Sequence, residues 1–240
     1  ENNLYPSPCG YFENITSQNN LYHLPALSES VKIVESSNKN KDLPSKFCQQ
    51  LIFASMLERG FRRSDNILYR AECPACRKCK GIRIHVKDFV PTKSQRHIFR
   101  INSDISVSIC RNCEEFISDE KVLLFSLYDK RHNPSSKKNF AQYKQELAEM
   151  NGIHETSEYK NTESSYAAAY SGTINMEYRL NSSDGNSGKL IGCGITDIAV
   201  GCLSSDYFYY DTSEQILKRS IGTFSILKEL ELCRTTGFEY

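Results

Sequence analysis

The spacing of apolar and polar residues divides the chain into a first part that mixes helices with turns and a later part dominated by strands. Apolar residues at intervals of three and four predict an α-helix in each of four segments, 45–59, 119–131, 140–150 and 224–234. Gly60 and Gly237 stand where the first and the last of these helices would stop. Thr223 is the expected N-cap of the last helix.

Short runs rich in β-branched and aromatic residues predict the strands. In the first part these runs are 31–34, 67–69 and 82–86, and the last two would form a small sheet around a cysteine cluster. In the later part they are 174–180, 189–200 and 202–210, with a turn at 182–188 between the first two. Residues 151–171 are polar with few aliphatics, which indicates a loop or linker. We therefore expect three regions, 1–150, 151–171 and 172–240.

Three cysteines in seven residues, Cys73, Cys76 and Cys79, lie inside the most basic stretch of the chain. Between Arg59 and Arg100 there are twelve Lys or Arg residues and three Asp or Glu residues, a local charge of +9 in a chain of net charge +1. Such a local field predicts a surface that docks a polyanion. Aromatic side chains interleave with the basic ones and offer stacking surfaces for unpaired bases, so we predict contact with nucleic acid. An ordinary solvated face is the alternative.

Thiolates separated by two residues can bind a single tetrahedral ion. Cys9 is the expected fourth ligand of the cluster, and the pair Cys110 and Cys113 is a rival completion. An all-cysteine shell suits zinc and an iron–sulfur cluster equally, so the identity of the ion stays open. A purely structural zinc knuckle and the complete absence of a metal are the alternatives.

Composition predicts a globular chain of 240 residues, because 39% of the residues are hydrophobic and 25% are charged. No run of 18 apolar residues occurs, and the first residues lack the features of a signal peptide, so we expect a cytoplasmic protein without a membrane span. Several of the ten cysteines lie in apolar runs, which favours reduced thiols over a secreted disulfide framework.

The segment from Arg219 to Thr223 lies before the last predicted helix and contains Gly222. Free N–H groups at the start of a helix attract anions, and glycine lets a ligand approach the main chain. The segment resembles the ligand-binding loop of the acetyltransferase superfamily, with Phe224 in place of the last small residue. A plain turn is the alternative.

In their order along the chain, these segments resemble the tRNA-dependent aminoacyltransferases that modify protein N-termini. These are the arginyl-tRNA-protein transferases and the bacterial aspartate/glutamate leucyltransferases. The segments that carry the resemblance are 9–11, 57–64, 69–70, 73–79, 82–83, 89–96, 209–211 and 220–229. The spacing of the cysteine cluster is similar to the bacterial branch, and Phe12 stands where the eukaryotic pattern has a second cysteine.

The resemblance implies an α/β (α+β) fold, with an acetyltransferase-like sheet flanked by helices in the second half and a cysteine-bearing, basic N-terminal region. It implies a reaction in which the α-amine of a protein beginning with Asp or Glu attacks the ester of an aminoacyl-tRNA, marking that protein for N-degron degradation. Leucine is the preferred donor and arginine the alternative. The family pattern continues beyond Gly237 with a further strand, so the resemblance also implies a shortened C-terminal portion.

The resemblance, together with the chemistry of the side chains, suggests roles for individual residues. Asp211 and Tyr209 are the candidate proton acceptors. A guanidinium fits a carboxylate, so the candidates for binding the acidic acceptor side chain are Arg63, Arg70 and Arg83. The tRNA acceptor arm is assigned to Lys93, Gln95 and Arg96, and the terminal adenosine or its phosphate to the segment containing Ser220, Gly222 and Thr223. The metal-associated cysteines are Cys9, Cys73, Cys76 and Cys79.

Two other classes of protein remain open from the sequence. An N-acyltransferase that uses a CoA thioester would account for the loop at Gly222 but not for the basic cysteine region. A non-catalytic, metal-stabilised RNA-binding protein would account for the first half but not for the second. No cofactor is needed for aminoacyl transfer from an ester that is already activated.

Overall fold

The computed structural model describes residues 4–9, 11–37, 43–155, 166–181 and 188–240. Within these residues, two four-stranded antiparallel sheets and one two-stranded sheet carry the fold, with helices packed against them. The mixed α/β class expected from the sequence is confirmed. None of the described helices is both long enough and apolar enough to cross a membrane.

The first sheet is built from the N-terminal quarter of the chain and has the strand order β1-β2-β4-β3. Its strands and the two helices between them are β1 (Leu4–Pro8), β2 (Thr16–His23), α1 (Leu27–Ser37), α2 (Ser45–Glu58), β3 (Arg62–Ser64) and β4 (Ile67–Ala71). The predicted helix at 45–59 is confirmed, and Gly60 follows it with φ +84°, a conformation that favours glycine. The strand expected at 67–69 is also confirmed.

The strand expected at 31–34 was wrong, because these residues belong to α1. Ser30 and Val34 are the buried residues of α1, and their spacing of four places both on the face toward α2. The Ser30 hydroxyl also donates to the Ala26 carbonyl at 2.9 Å. Packing against α2 therefore outweighs the β-propensity of the branched residues.

The strand expected at 82–86 was also wrong. The chain is irregular here and ends in a 3₁₀ turn at Val86–Asp88. The Val86 N–H donates to the Glu239 carbonyl at 2.9 Å, and the side chain packs against the last helix. The next helix, α3 (Lys93–Ile101), was not predicted. Its signal was a capping box, in which Thr92 and Gln95 satisfy each other's backbone N–H groups.

The second sheet has the strand order β10-β9-β8-β5. The remaining elements are β5 (Ile105–Cys110), α4 (Cys113–Phe116), α5 (Asp119–His132), α6 (Phe140–Asn151), β6 (Ile153–Glu155), β7 (Tyr166–Ala168), β8 (Thr173–Leu180), β9 (Leu190–Ala199), β10 (Cys202–Tyr210), α7 (Glu214–Leu217) and α8 (Ile221–Thr236). The helices expected at 119–131, 140–150 and 224–234 and the three later strands are confirmed. The turn expected at 182–188 falls almost wholly outside the described residues.

The second sheet is not confined to the later part of the chain. β5 precedes the helices α4 to α6, yet it pairs along its whole length with β8. A boundary near residue 150 therefore does not separate the two sheets. Within the range expected to be a linker, β6 and β7 pair as a short antiparallel ladder.

β9 lies between two apolar layers. Cys193 and Ile195 pack against α5 and α6, whereas Ile191, the extra residue at a bulge in the pairing with β8, packs against α7 and α8. A third cluster joins the first sheet and α2 to the end of β9, with Phe53, Leu68 and other apolar residues at its centre. The two sheets therefore share one continuous interior.

Candidate active site

The two sheets are joined by a buried ion pair between β3 and β9. The Arg63 guanidinium donates to both carboxylate oxygens of Asp197, at 2.6 and 2.9 Å, and both side chains are about 1% exposed or less. Arg63 also donates to the Asp65 carbonyl and the Thr173 hydroxyl. This geometry does not favour Arg63 as a contact for the acceptor substrate, because its guanidinium is engaged inside the protein.

Arg62, the next residue, has different surroundings. It lies opposite Tyr69 in the ladder between β3 and β4 and is half-buried. Its guanidinium packs so closely on Gly81 that a Cβ there would be 2.6 Å from Nη2. Among the described residues, its guanidinium donates one hydrogen bond, to the Phe61 carbonyl, and no carboxylate lies within salt-bridge distance. The remaining N–H donors of Arg62 can therefore bind the carboxylate of another molecule.

A β-bulge interrupts the pairing of β10 with β9 and places Asp206 beside the same junction. Ser205 pairs with Thr196 and Tyr207 pairs with Ile195, so Asp206 is the extra residue. The Ser205 hydroxyl donates to Glu229 on α8, whereas the Tyr207 ring contacts α5 on the opposite face.

The charges around Asp206 come from three strands. Burial and, to a smaller extent, the Asp197 carboxylate raise its pKa, the guanidinium groups of Arg63 and Arg62 oppose both effects, and the result is a pKa of about 7. Asp206 in turn raises the pKa of Tyr69, where burial is the larger cause. The edge strands β3 and β10, together with β4 beside β3, thus bring together Arg62, Tyr69 and Asp206, and we call these three residues the junction site.

The other two predicted arginines lie outside the junction site. Arg70 is engaged by Glu72, donates to the Arg59 carbonyl at 2.7 Å and covers the Phe61 ring at 4.7 Å. Arg83 is exposed and lies 4.1 Å from the centre of the Tyr240 ring. Arg83 therefore keeps its donors available, whereas those of Arg70 are largely used within the protein.

The predicted proton acceptors also lie elsewhere. Tyr209 is fully buried against Phe125, and burial raises its pKa well above the ordinary value. Asp211 accepts from Lys189 at 2.6 Å and from the Ser213 N–H at 2.8 Å. Burial raises the pKa of Asp211, but these bonds outweigh it and hold the pKa below the ordinary value. Neither geometry favours proton acceptance at neutral pH.

The residues assigned to tRNA lie in the first turn of α3. Lys93 and Arg96 are exposed, and Arg96 donates to the Pro91 carbonyl at 2.5 Å. The side-chain oxygen of Gln95 accepts from the Thr92 N–H, so it is used in the helix cap. α3 packs along α8, with Phe99 and Phe224 in edge contact at 6.1 Å. Basic charge therefore lies on the outer side of the helix pair.

The helix α8 begins earlier than expected, at Ile221, and Ser220 is its N-cap in the left-handed conformation with φ +52°. Thr223 as N-cap was therefore wrong, and Thr223 lies within the first turn. Gly222 is half-exposed, and a Cβ there would meet no atom within 4 Å. Space is therefore open beside Gly222 at this helix start, where an anion would have to approach. The expected stop at Gly237 is confirmed, with φ +75°.

All ten cysteines of the chain are free thiols. Cys73, Cys76 and Cys79 line one cavity of about 250 Å³, and Cys9 lines another. Across the described part of the chain, no three Cys, His, Asp or Glu side chains are placed to hold one ion. Cys110 is buried and donates to Glu115, and burial raises its pKa to about 11, so it does not complete the cluster.

Comparison with known proteins now identifies the family. Residues 7–97 match the model described as "Arginine-tRNA-protein transferase, N terminus", and residues 120–240 match that of the C terminus. The chain belongs to the arginine-tRNA-protein transferase family. Both family regions contribute to the junction site, because Arg62 and Tyr69 come from the first and Asp206 from the second.

Relatives within this transferase family carry a more specific name. A protein of Aeromonas hydrophila named aspartate/glutamate leucyltransferase is 32% identical over 77% of this chain and 66% of its own length. Proteins of the same name from Aeromonas salmonicida and Pseudoalteromonas atlantica are each 30% identical, over 77% and 76% of this chain. The chain spans about two thirds of the length of these relatives.

The sequence analysis did not single out Asp206 as a candidate site residue. The alternation of aromatic residues in 207–210 suggested a regular strand, and the bulge before Tyr207 leaves no clear sequence signal. Arg62 was part of the basic segment, but nothing in two adjacent arginines shows which one is buried. That choice depends on the register of β3 against β4.

Proposed function

We propose that this chain transfers leucine from leucyl-tRNA to the α-amine of proteins that begin with Asp or Glu, marking them for N-degron degradation. The observation that carries the proposal is the match to both family regions, with relatives named aspartate/glutamate leucyltransferase. The junction site supports it, because an arginine free to bind a carboxylate lies near a carboxylate that can bind an ammonium group. An N-terminal Asp or Glu residue presents both groups.

Aminoacyl transfer from the tRNA ester depends more on positioning the two substrates than on a reactive side chain. An aminoacyl ester is already activated, so holding the amine within attack distance and stabilising the oxyanion provide most of the acceleration. The donor end would lie at the start of α8, where the N–H groups near Gly222 attract a phosphate. The acceptor arm would follow the basic side of α3, at Lys93 and Arg96.

Acceptor binding is assigned to Arg62 in place of Arg63. The Arg62 guanidinium is fixed by Gly81 and the Phe61 carbonyl, which leaves its other donors for the acidic side chain of the acceptor. Arg83, which is exposed, is a second contact for the acceptor chain.

We also propose an acetyltransferase-like second half and a cytoplasmic location. β8 to β10 followed by α8, with a bulge in β10 and an open glycine at the start of the helix, support an acetyltransferase-like arrangement of the second half. Aminoacyl-tRNA as the donor and ten free thiols support the cytoplasm as the location.

A metal bound by the cysteine cluster remains part of the proposal. Three thiols around one cavity support a soft ion, zinc or an iron–sulfur cluster, for which Cys73, Cys76 and Cys79 would be ligands with Cys9 as the fourth. It would act as a structural support for the basic segment. Elemental analysis of the purified protein and of the Cys76→Ser variant tests this point, and equal metal content in the two would exclude the cluster.

The experiment that tests the function supplies labelled leucyl-tRNA or arginyl-tRNA with peptides that differ only in their first residue. We expect incorporation from leucyl-tRNA into peptides that begin with Asp or Glu, and none into a peptide that begins with Lys. Incorporation from arginyl-tRNA alone would mean that the transferred amino acid is arginine and not leucine. Binding of tRNA without incorporation from either donor would favour a non-catalytic RNA-binding protein.

A further inference from the structure

The junction site contains a carboxylate, that of Asp206, which does not hold the fold together through any polar contact with the described residues. Asp206 is the unpaired residue of the bulge, and among the described residues its carboxylate takes part in no hydrogen bond or salt bridge. The neighbouring carboxylate of Asp197, in contrast, accepts hydrogen bonds from Arg63 and Thr173. A half-buried carboxylate without a partner is costly, and such costs concentrate at functional sites.

The surroundings make this carboxylate a weaker acid than usual without preventing its ionisation. Burial and the Asp197 carboxylate disfavour its charge, and Arg62 and Arg63 favour it, so that the pKa of Asp206 rises to about 7. Asp197 faces it from β9, the two arginines from β3 and Tyr69 from β4. A group that is half ionised near neutral pH is suited to accept a proton at that pH.

Building on the proposed function, we infer that Asp206 accepts the proton that the acceptor α-ammonium group must lose before it attacks the aminoacyl ester. The amine then forms a C–N bond to the ester carbonyl carbon, and the C–O bond to the tRNA ribose breaks. The second amine proton passes to the departing ribose oxygen, and Asp206 releases its own proton to solvent. The products are an amide, a free ribose hydroxyl group and one proton, and no oxidant or reductant is required.

The same geometry would orient the acceptor. With its ammonium group at Asp206, an N-terminal Asp or Glu residue can place its side-chain carboxylate at Arg62, the one guanidinium of β3 without an internal carboxylate partner among the described residues. A neutral first side chain would lose that contact. Asp206 therefore serves proton transfer, and Arg62 serves the choice of acceptor.

The test compares Asp206→Asn with the wild type in kcat and KM for an Asp-peptide, across pH 7 to 9. Asparagine is nearly isosteric but cannot accept the proton, so we expect kcat at pH 7 to fall about 100-fold or more. The neutral fraction of an α-amine with a pKa of about 7.7–8 rises roughly tenfold between pH 7 and pH 9. The deficit should therefore shrink by about tenfold over that range, because the substrate arrives already deprotonated. Asp206→Glu should recover part of the rate.

Several results would overturn the inference. A deficit that stays constant with pH would mean a structural role, and an unchanged kcat would remove Asp206 from the reaction. A deficit that shrinks with rising pH in Asp211→Asn but not in Asp206→Asn would transfer the role to Asp211. Asp119→Asn, an exposed position on α5, is the matched control. A wild type inactive with every donor would refute the proposed function itself, whereas an active wild type with an active Asp206→Asn variant would refute this inference alone.

Discussion

Arg62 and Arg63 are adjacent on β3, but the pleat of the strand sends them into opposite environments. Arg63 pairs with Leu68, faces the interior and holds Asp197, whereas Arg62 pairs with Tyr69 at the margin of the junction site. The same residue type therefore stabilises the fold at one position and is available to a substrate at the next.

This contrast predicts different effects of two substitutions. Arg63→Ala leaves the Asp197 carboxylate buried without its partner, which should lower the free energy of unfolding by about 3–5 kcal/mol. Arg62→Ala should lower it by less than about 1 kcal/mol, since its guanidinium holds no buried charge. Urea denaturation of both variants measures the difference. Equal losses would contradict the assignment of Arg63 to the interior.

Although Arg62→Ala should change stability little, it should weaken binding of the acceptor peptide. Because a hydrogen bond to a charged group is worth about 1.5–3 kcal/mol, Arg62→Ala should raise KM for an Asp-peptide about tenfold to 100-fold. Its activity on a peptide with Asn as the first residue should change little. A parallel loss on both peptides would mean that Arg62 does not bind the acidic side chain.

At the scale of elements, the start of α8 combines open space beside Gly222 with the positive end of a 16-residue helix. Ser220 adopts a positive φ there, and Gly222 leaves the approach clear. The arrangement is ready for an anion, and the proposed occupant is the donor end of tRNA.

The substitution Gly222→Asp tests whether the donor end of tRNA binds at the start of α8. A carboxylate at this position would compete with a phosphate for the N–H groups, so we expect KM for leucyl-tRNA to rise at least tenfold. Stability should stay the same or increase by about 0.3–1 kcal/mol, because a negative charge favours the N-terminus of a helix. Gly222→Ala is the control, since its Cβ would meet no neighbouring atom within 4 Å. Unchanged tRNA kinetics in Gly222→Asp would place the donor elsewhere.

The exposed side of α3 carries the second element-scale prediction. Arg96→Ala should weaken tRNA binding and reduce the slope of log K against log salt by about one, as loss of one phosphate contact does. Lys32→Ala on α1, also exposed, should leave the slope unaltered. Filter binding at several salt concentrations measures both, and equal slopes for Arg96→Ala and the wild type would exclude the contact.

At the scale of the whole molecule, stability should depend on pH through carboxylates in the interior. Glu229 on α8 is buried and accepts from Ser205 on β10 at 3.1 Å and from Thr196 on β9 at 3.4 Å. Burial raises its pKa from 4.5 to about 7, and the two hydroxyl groups only partly oppose the effect. The folded state therefore holds a proton that the unfolded state has lost between these pH values.

Stability should accordingly fall as pH rises from about 4.5 to about 7, and the loss attributable to Glu229 should reach at most about 3 kcal/mol above that range. Glu229→Gln cannot ionise, and its carbonyl oxygen can accept the same two hydroxyl groups. We expect the variant to match the wild type near pH 5 and to be more stable at pH 8. A stability difference that does not change with pH would show that Glu229 is not protonated in the folded state.

Much of the element pattern could be predicted from local sequence, because it depends on neighbours along the chain. Helices α2, α5 and α6 and strands β8 to β10 follow from apolar spacing. Errors arose where contacts distant in sequence dominate. Val31 to Val34 became helical against α2, and Val86 joined the C-terminal segment instead of a sheet.

The sequence alone determined the family and the basic cysteine region, because these are properties of residue types in a fixed order. Only the tertiary structure decided which arginine is buried, which carboxylate stands unpaired and which tyrosine is inaccessible. These outcomes depend on strand register and on one extra residue in β10. A shift of one residue in a strand exchanges the two faces, and no local pattern in the sequence fixes that shift.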